Sequence, residues 1–376
     1  MSAPEPGSVD GSSPYPRRIS ADHAPVRPAS PRRRQRGLTI IDLMVGIVIA
    51  MLVSLAATNS AVMFTAAQRS GVGSGGAIVN STTALAALKN DASLAGLGFV
   101  GDGRMLCNGI NLSVGSTMVS DGAAFTPLLL TTGPAADRID IFYGTSIEAG
   151  ATVRLATPSQ GAGAELQSLL PVAVGQAVLL SPELPGDPCI VRSATANVAA
   201  TPTVAQTLSF AAAGRHNARA FTNNVSYPDR ARVTALGELR WNRYRLDNGN
   251  LILERPLDGT QAVLAHNVIT LRAQYGISAA AAGSTTLEAW QNATGPDFSV
   301  LGVANINRVR ALRVGLVTRS AQREKPGPDG VCTASLAKPL LFGVVVEPDV
   351  AEWQCYRYRA AVVVVPLRNL VMGFRS

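Results

Sequence analysis

The first 36 residues show no apolar periodicity; they are rich in Pro, Ser and Arg and read as disordered. The pattern changes at Leu38. From there Leu38-Thr39-Ile40-Ile41-Asp42-Leu43-Met44-Val45-Gly46-Ile47-Val48-Ile49 opens an apolar stretch that runs to about Thr58 and carries one charge, Asp42. About 20 helical residues at roughly 1.5 Å each span a bilayer core, so this stretch predicts a membrane helix. The cluster Arg32-Arg33-Arg34-Gln35-Arg36 stands before it and no comparable basic cluster follows immediately. That asymmetry puts the N-terminus in the cytoplasm and the bulk of the chain outside. After Phe64 the chain turns polar and reaches Gly71-Val72-Gly73-Ser74-Gly75-Gly76. Each glycine costs a helix about 1 kcal/mol relative to Ala, so a flexible break in a long helix is expected here. Ile78, Leu85, Leu88, Ala92 and Ala95 then recur at helical spacing and predict a second, amphipathic helical piece.

Beyond residue 100 the pattern shortens to β-type runs: Ile139 to Tyr143, Val172 to Leu180, Leu239 to Leu246, Val268 to Tyr275, Val309 to Thr318 and Tyr356 to Val365. Between Leu239–Leu246 and Leu251-Ile252-Leu253 lies Asp247-Asn248-Gly249-Asn250, and Asn-Gly between two such runs is a strong hairpin signal. Several strands after helices, without regular alternation, predict an α+β fold with a mostly antiparallel sheet.

Composition agrees with a folded chain: 376 residues, 47% hydrophobic, only 15% charged, with 35 Gly and 23 Pro. The net charge of +8 changes little. Residues 1–37 hold seven Arg and three acids, so half of the excess sits in about a tenth of the chain. It does not support nucleic-acid binding. Four cysteines, Cys107, Cys189, Cys332 and Cys355, are widely spaced with no C-x-x-C, which argues against a zinc knuckle or a thioredoxin-like motif. An even number beyond a membrane segment suggests an oxidising compartment and two disulfides. Pairing sequence neighbours, Cys107 with Cys189 and Cys332 with Cys355, is the expectation, although four cysteines allow three connectivities.

Catalytic chemistry finds no foothold. The three histidines, His23, His216 and His266, are isolated, and no H-E-x-x-H, G-x-S-x-G or P-loop motif occurs. The glycine run matches G-x-G-x-x-G literally, but a membrane helix precedes it where a strand is needed. Asp247 to Asn250 lacks the further acids of a calcium loop. No enzyme activity, cofactor or metal is expected.

The N-terminal arrangement resembles the type III signal of type IV prepilins. Gly37 matches the residue before the prepilin-peptidase cut, Leu38 the new N-terminus, which the peptidase also methylates, and Asp42 the acidic fifth residue. The family usually has Phe first and Glu fifth; here Leu and Asp take those places. A carboxylate within an apolar membrane segment costs about 2.5–3.5 kcal/mol at the bilayer centre and is functional by default. The resemblance makes its partner the Leu38 amine of an adjacent subunit. Two other readings stay open: Thr39-x-x-Asp42 also fits a helix capping box with an acid suited to the helix dipole, and an ordinary secretory signal could be cut after Ser54 and Ala56.

Three further stretches resemble the PilW minor pilins: Asn90-Asp91-Ala92-Ser93-Leu94-Ala95-Gly96-Leu97-Gly98-Phe99, Arg308 through Ser320, and Tyr356-Arg357-Tyr358-Arg359 through Pro366-Leu367-Arg368-Asn369-Leu370. Residues 108–235 carry no recognised pattern. The resemblance implies a long N-terminal hydrophobic helix packed on a mostly antiparallel β-sheet head. It divides the chain into a cleaved leader (1–37), a transmembrane or filament-core helix (38–64), an amphipathic helical part with the junction (65–100), and a periplasmic head (101–376). The implied function is that of a minor pilin in the tip or priming complex, serving motility and cell adhesion. Its partners would be other major and minor pilins, prepilin peptidase and the inner-membrane assembly machinery. Its location would be the inner membrane before assembly and the pilus or cell surface after it. A type II secretion pseudopilin shares the signal and general fold, and a released periplasmic binding protein or enzyme is the rival of another class.

Overall fold

The computed structural model describes residues 39–101, 104–146, 151–183, 186–222, 225–279, 284, 286–299 and 303–373; Gly37 and Leu38 lie outside them. The chain divides into two units, Met1–Met63 and Phe64–Ser376. One α-helix of 55 residues, Ile40–Leu94, contributes to both.

In the first unit the helix is apolar all round and buries nothing: Ile40, Met44, Val48, Met51 and Leu55 are all exposed. A helix apolar on every face with no protein around it is suited to lipid or to other helices. By length and composition, Ile40–Thr65 is long and apolar enough to cross a membrane. The expected break at Gly71–Gly76 is absent, because the helix runs through all four glycines. Glycine keeps its N–H, unlike proline, so the ladder of i→i−4 bonds is not interrupted. Extending an existing helix also avoids the cost of a new nucleus.

In the second unit the helix turns amphipathic. Ser81, Ala84, Leu85, Leu88 and Ala92 are buried, at spacings of three and four residues that make one face. That face enters the larger of two hydrophobic cores. Around this core stand two antiparallel sheets. One has five strands in the order Thr260–Ala265, Asn250–Arg255, Leu239–Asp247, Arg138–Gly144, Leu128–Thr131. The other has four, Leu287–Gln291, Val268–Ser278, Val309–Arg319 and Tyr358–Pro366. Asp247 pairs with Asn250 across the turn, with φ of 48° at Asn248 and 73° at Gly249, so the Asn-Gly hairpin takes the two-residue form that needs positive φ at both positions.

A six-stranded sheet holds residues between 109 and 237, and among its pairings only that of Cys189–Ser193 with Gly109–Val114 is parallel. One side of it, with a three-stranded sheet, encloses the second core around Leu155, Leu180, Leu208 and Val233. The run Val172 to Leu180 yields a strand only over Ala177–Ser181. Gly175 at φ 92° turns the chain just before it, and its N–H goes to the Ala194 carbonyl instead of to a ladder. The cysteines pair Cys107–Cys189, with Cα atoms 5.4 Å apart, and Cys332–Cys355, with Cα atoms 4.8 Å apart. The first bond ties the segment that follows the helix to the six-stranded sheet; the second ties the loop after Val309–Arg319 to the approach of the last strand.

Candidate functional site

Two carboxylates on the long helix organise its ends. At the N-terminal end, the Thr39 amide and hydroxyl both donate to Asp42 Oδ2, at 3.2 and 2.8 Å, and the Asp42 amide donates back to Thr39 Oγ1 at 3.3 Å. This is a reciprocal capping box, formed because a hydroxyl and a carboxylate three residues apart each reach the other's unpaired N–H. It supports the capping reading of Asp42. It does not use up the group, since both bonds fall on Oδ2 and the side chain is exposed among the apolar neighbours Ile40, Ile41 and Leu43. The arrangement is a negative charge held in fixed orientation on a helix otherwise able to sit in lipid.

At the other end the carboxylate is Asp91. It accepts from Tyr143 Oη at 3.0 Å, from Asn242 Nδ2 at 2.6 Å and from Tyr244 Oη. Tyr143 and Tyr244 come from neighbouring strands, Arg138–Gly144 and Leu239–Asp247. Burial, and then the charge of Asp91, push both phenols well above their ordinary 10.0, so both stay protonated and remain donors. Three donors on one carboxylate fix the helix against the five-stranded sheet. Just beyond Leu94, the chain turns at Gly96 with φ 79°, where a Cβ would stand 2.8 Å from the side chain of buried Leu370. Asn369 Nδ2 donates to the carbonyls of Ser93 and Ala95, both at 3.4 Å. The C-terminal helix Arg368–Gly373 thus closes the end of the long one.

The sequence singled out the stretch 90–99 but assigned no role to Asp91 and did not find Tyr143, Asn242 or Tyr244. A signal existed: Asn242 and Tyr244 are two apart in a strand and so share a face. Another carboxylate, the buried Asp140, accepts from Arg138 at 2.9 Å, Trp241 at 2.8 Å and Arg243 at 2.7 Å. Here Arg243 lies over Trp241, which stacks on Phe142. Three donors thus share the two oxygens of Asp140, as in a structural network.

Among the described residues the two histidines, His216 and His266, stay apart, and His23 lies outside them. His216 is buried, with Nδ1 2.7 Å from the Ser113 carbonyl, and His266 Nδ1 lies 2.8 Å from Asn250 Oδ1. Burial lowers the pKa of His216. Among the described residues no group of three or more His, Cys, Asp or Glu could hold a metal ion.

No curated protein matches the chain. Among solved structures, a type IV-like pilin from Thermus thermophilus is similar at 11% identity and a TM-score of 0.25, over 65% of this chain and 82% of that one. The firmer likeness is in the part of the chain that holds the Asp91 partners Asn242 and Tyr244, the whole four-stranded sheet and Asn369. Residues 239–369 match the model of PilW, Type IV Pilus-assembly protein W.

Proposed function

We propose that the chain is a minor pilin of a type IV pilus, a structural subunit and not an enzyme, which assembles through its N-terminal helix. One observation carries this: the chain that holds the PilW stretch at 239–369 also has an exposed apolar helical stretch, Ile40–Thr65, that bears a single carboxylate, Asp42. A fully apolar helix needs lipid or other helices around it, and a filament core of like helices supplies both the surface and the partners. In this reading prepilin peptidase cuts between Gly37 and Leu38, the inner-membrane machinery extracts the subunit, and other major and minor pilins receive it. The subunit moves from the inner membrane, head outside, to the pilus and cell surface, in the tip or priming complex.

Intact-mass measurement of the chain from membranes tests the reading. The expected mass begins at a methylated Leu38 and retains the helix. Replacing Gly37 by a bulky residue should leave the precursor uncut. A mature chain that starts after Ala56 would instead make it a released periplasmic protein. Co-purification with secretion-system subunits in place of pilins would make it a pseudopilin.

A further inference from the structure

Arg192, on the strand Cys189–Ser193, is only 8% exposed, yet among the described residues no acid pairs with it. Its Nη1 donates to the carbonyls of His216 at 3.0 Å and Arg219 at 3.4 Å, and its guanidinium lies 5.2 Å from the centre of the Phe221 ring. Its Nε is buried with no hydrogen-bond partner. Burial lowers its pKa from the usual guanidinium range. Asp121, which faces Asn111 across the strand pair, is engaged by the Thr222 amide, 3.2 Å from each carboxylate oxygen. A buried cation without counter-charge is costly, and backbone carbonyls offset only part of that cost.

Beside this guanidinium lies a cavity of about 200 Å³, lined by Asn111, Ile190, Phe221, Val225 and Tyr227 as well as Arg192. A Cβ at Gly161, where φ is 82°, would stand 3.6 Å from Nε and 3.8 Å from Nη2, so the backbone of this glycine packs along that edge of the guanidinium. The cavity thus joins one unbalanced positive charge to an amide, a phenol and the apolar side chains of Ile190, Ala220, Phe221 and Val225. Guanidinium geometry suits a carboxylate, and the apolar walls suit a short hydrocarbon body behind it. We propose that this cavity is a binding site for a small carboxylate with a short apolar body, held by Arg192. It sits in the part of the chain before residue 239, outside the PilW match, and does not depend on the pilin reading.

The test is thermal unfolding of the full chain in detergent, in sodium propionate against sodium chloride and sodium sulfate at matched ionic strength. Propionate should raise the unfolding temperature saturably, by about 1–2 °C once it exceeds its Kd about fivefold. The rise should vanish in Arg192→Met, which keeps a side chain of similar length, and in Val225→Trp, which fills the cavity and leaves the arginine in place. Equal responses in the wild type, Arg192→Met and Val225→Trp would overturn the site. So would no response to propionate in the wild type, the result if the carbonyls and Phe221 already satisfy the arginine. A response to sulfate but not to propionate would overturn the carboxylate assignment.

Discussion

Tyr244, on a central strand of the five-stranded sheet, donates a hydrogen bond from its phenol to the carboxylate of Asp91, near the C-terminal end of the long helix. The two residues are 153 positions apart. Asn242 and Tyr143 donate to the same carboxylate, so one acid takes up three buried or nearly buried donors. Asp91→Ala strands all three at once. A lost charge-assisted bond with buried donors left unpaired typically costs several kcal/mol, and about 3–5 kcal/mol is expected here. Tyr244→Phe removes one donor and leaves the acceptor served by two others, so about 1–2 kcal/mol is expected. Urea unfolding of the full chain in detergent measures both. Equal losses for the two substitutions would mean that Asp91 is not the hub.

The same phenols make stability depend on alkaline pH. Tyr143, Tyr227, Tyr244 and Tyr275 are all pushed above 10.0, in each case first by burial. Below pH 10 both the folded and unfolded chains keep these protons, and nothing changes. Above it the unfolded chain ionises while the folded one does not. Unfolding then releases protons, and each such tyrosine removes up to about 1.4 kcal/mol of stability per pH unit. Unfolding temperature followed from pH 8 upward should be flat to about pH 10 and then fall. Phenolate absorbance should rise together with the loss of fold; phenolate appearing while the fold is intact would contradict the burial argument.

The junction shows why some of this was legible in the sequence and some was not. The face formed by Leu85, Leu88 and Ala92 follows from spacing within one helix, and the Asn248-Gly249 turn from two adjacent residues. Both are local, so a sequence carries them openly. The partners of Asp91 lie 52, 151 and 153 positions away, and no periodicity links such distances. Apolar content also misled where backbone geometry decided: Val172 and Val174 look like strand residues, but Gly175 turns the chain before Ala177 can begin one. The glycines at 71–76 misled in the other direction, since their helix cost is real but too small to end a helix already formed on both sides.

The two disulfides close loops of very different length, with sequence separations of 82 for Cys107–Cys189 and 23 for Cys332–Cys355. Loop-closure entropy then makes the first worth about 1 kcal/mol more than the second, within a range of about 3–5 kcal/mol for each. Cys107→Ser with Cys189→Ser should therefore lower unfolding free energy more than Cys332→Ser with Cys355→Ser. Peptide mapping without reduction should recover both pairs from the exported chain. Four free thiols would remove the case for an oxidising compartment.

Asp42 offers a sharper test, because its two roles predict different behaviour in its neighbour Thr39. As a cap, the carboxylate serves Thr39, and losing it costs about 0.5–2 kcal/mol at a frayable helix end. As a partner for the Leu38 amine of another subunit, it would be buried among apolar helices, where breaking one side of a pair costs about 3–5 kcal/mol. The larger figure lowers association more than a hundredfold; the smaller one lowers it little, since a cap acts within one chain. Thr39→Ala removes the hydroxyl half of the box and leaves the carboxylate in place, so filament incorporation should persist. Asp42→Ala should insert as well as the wild type or better, because the segment loses its charge. It should keep a folded head, because the head's contacts lie in the second unit. Yet it should accumulate in the membrane and be missing from sheared filaments, while Asp42→Glu, one methylene longer, assembles. Quantifying the three variants in sheared filaments against the membrane fraction separates the roles. If Asp42→Ala enters filaments at wild-type levels, capping is all that the residue does.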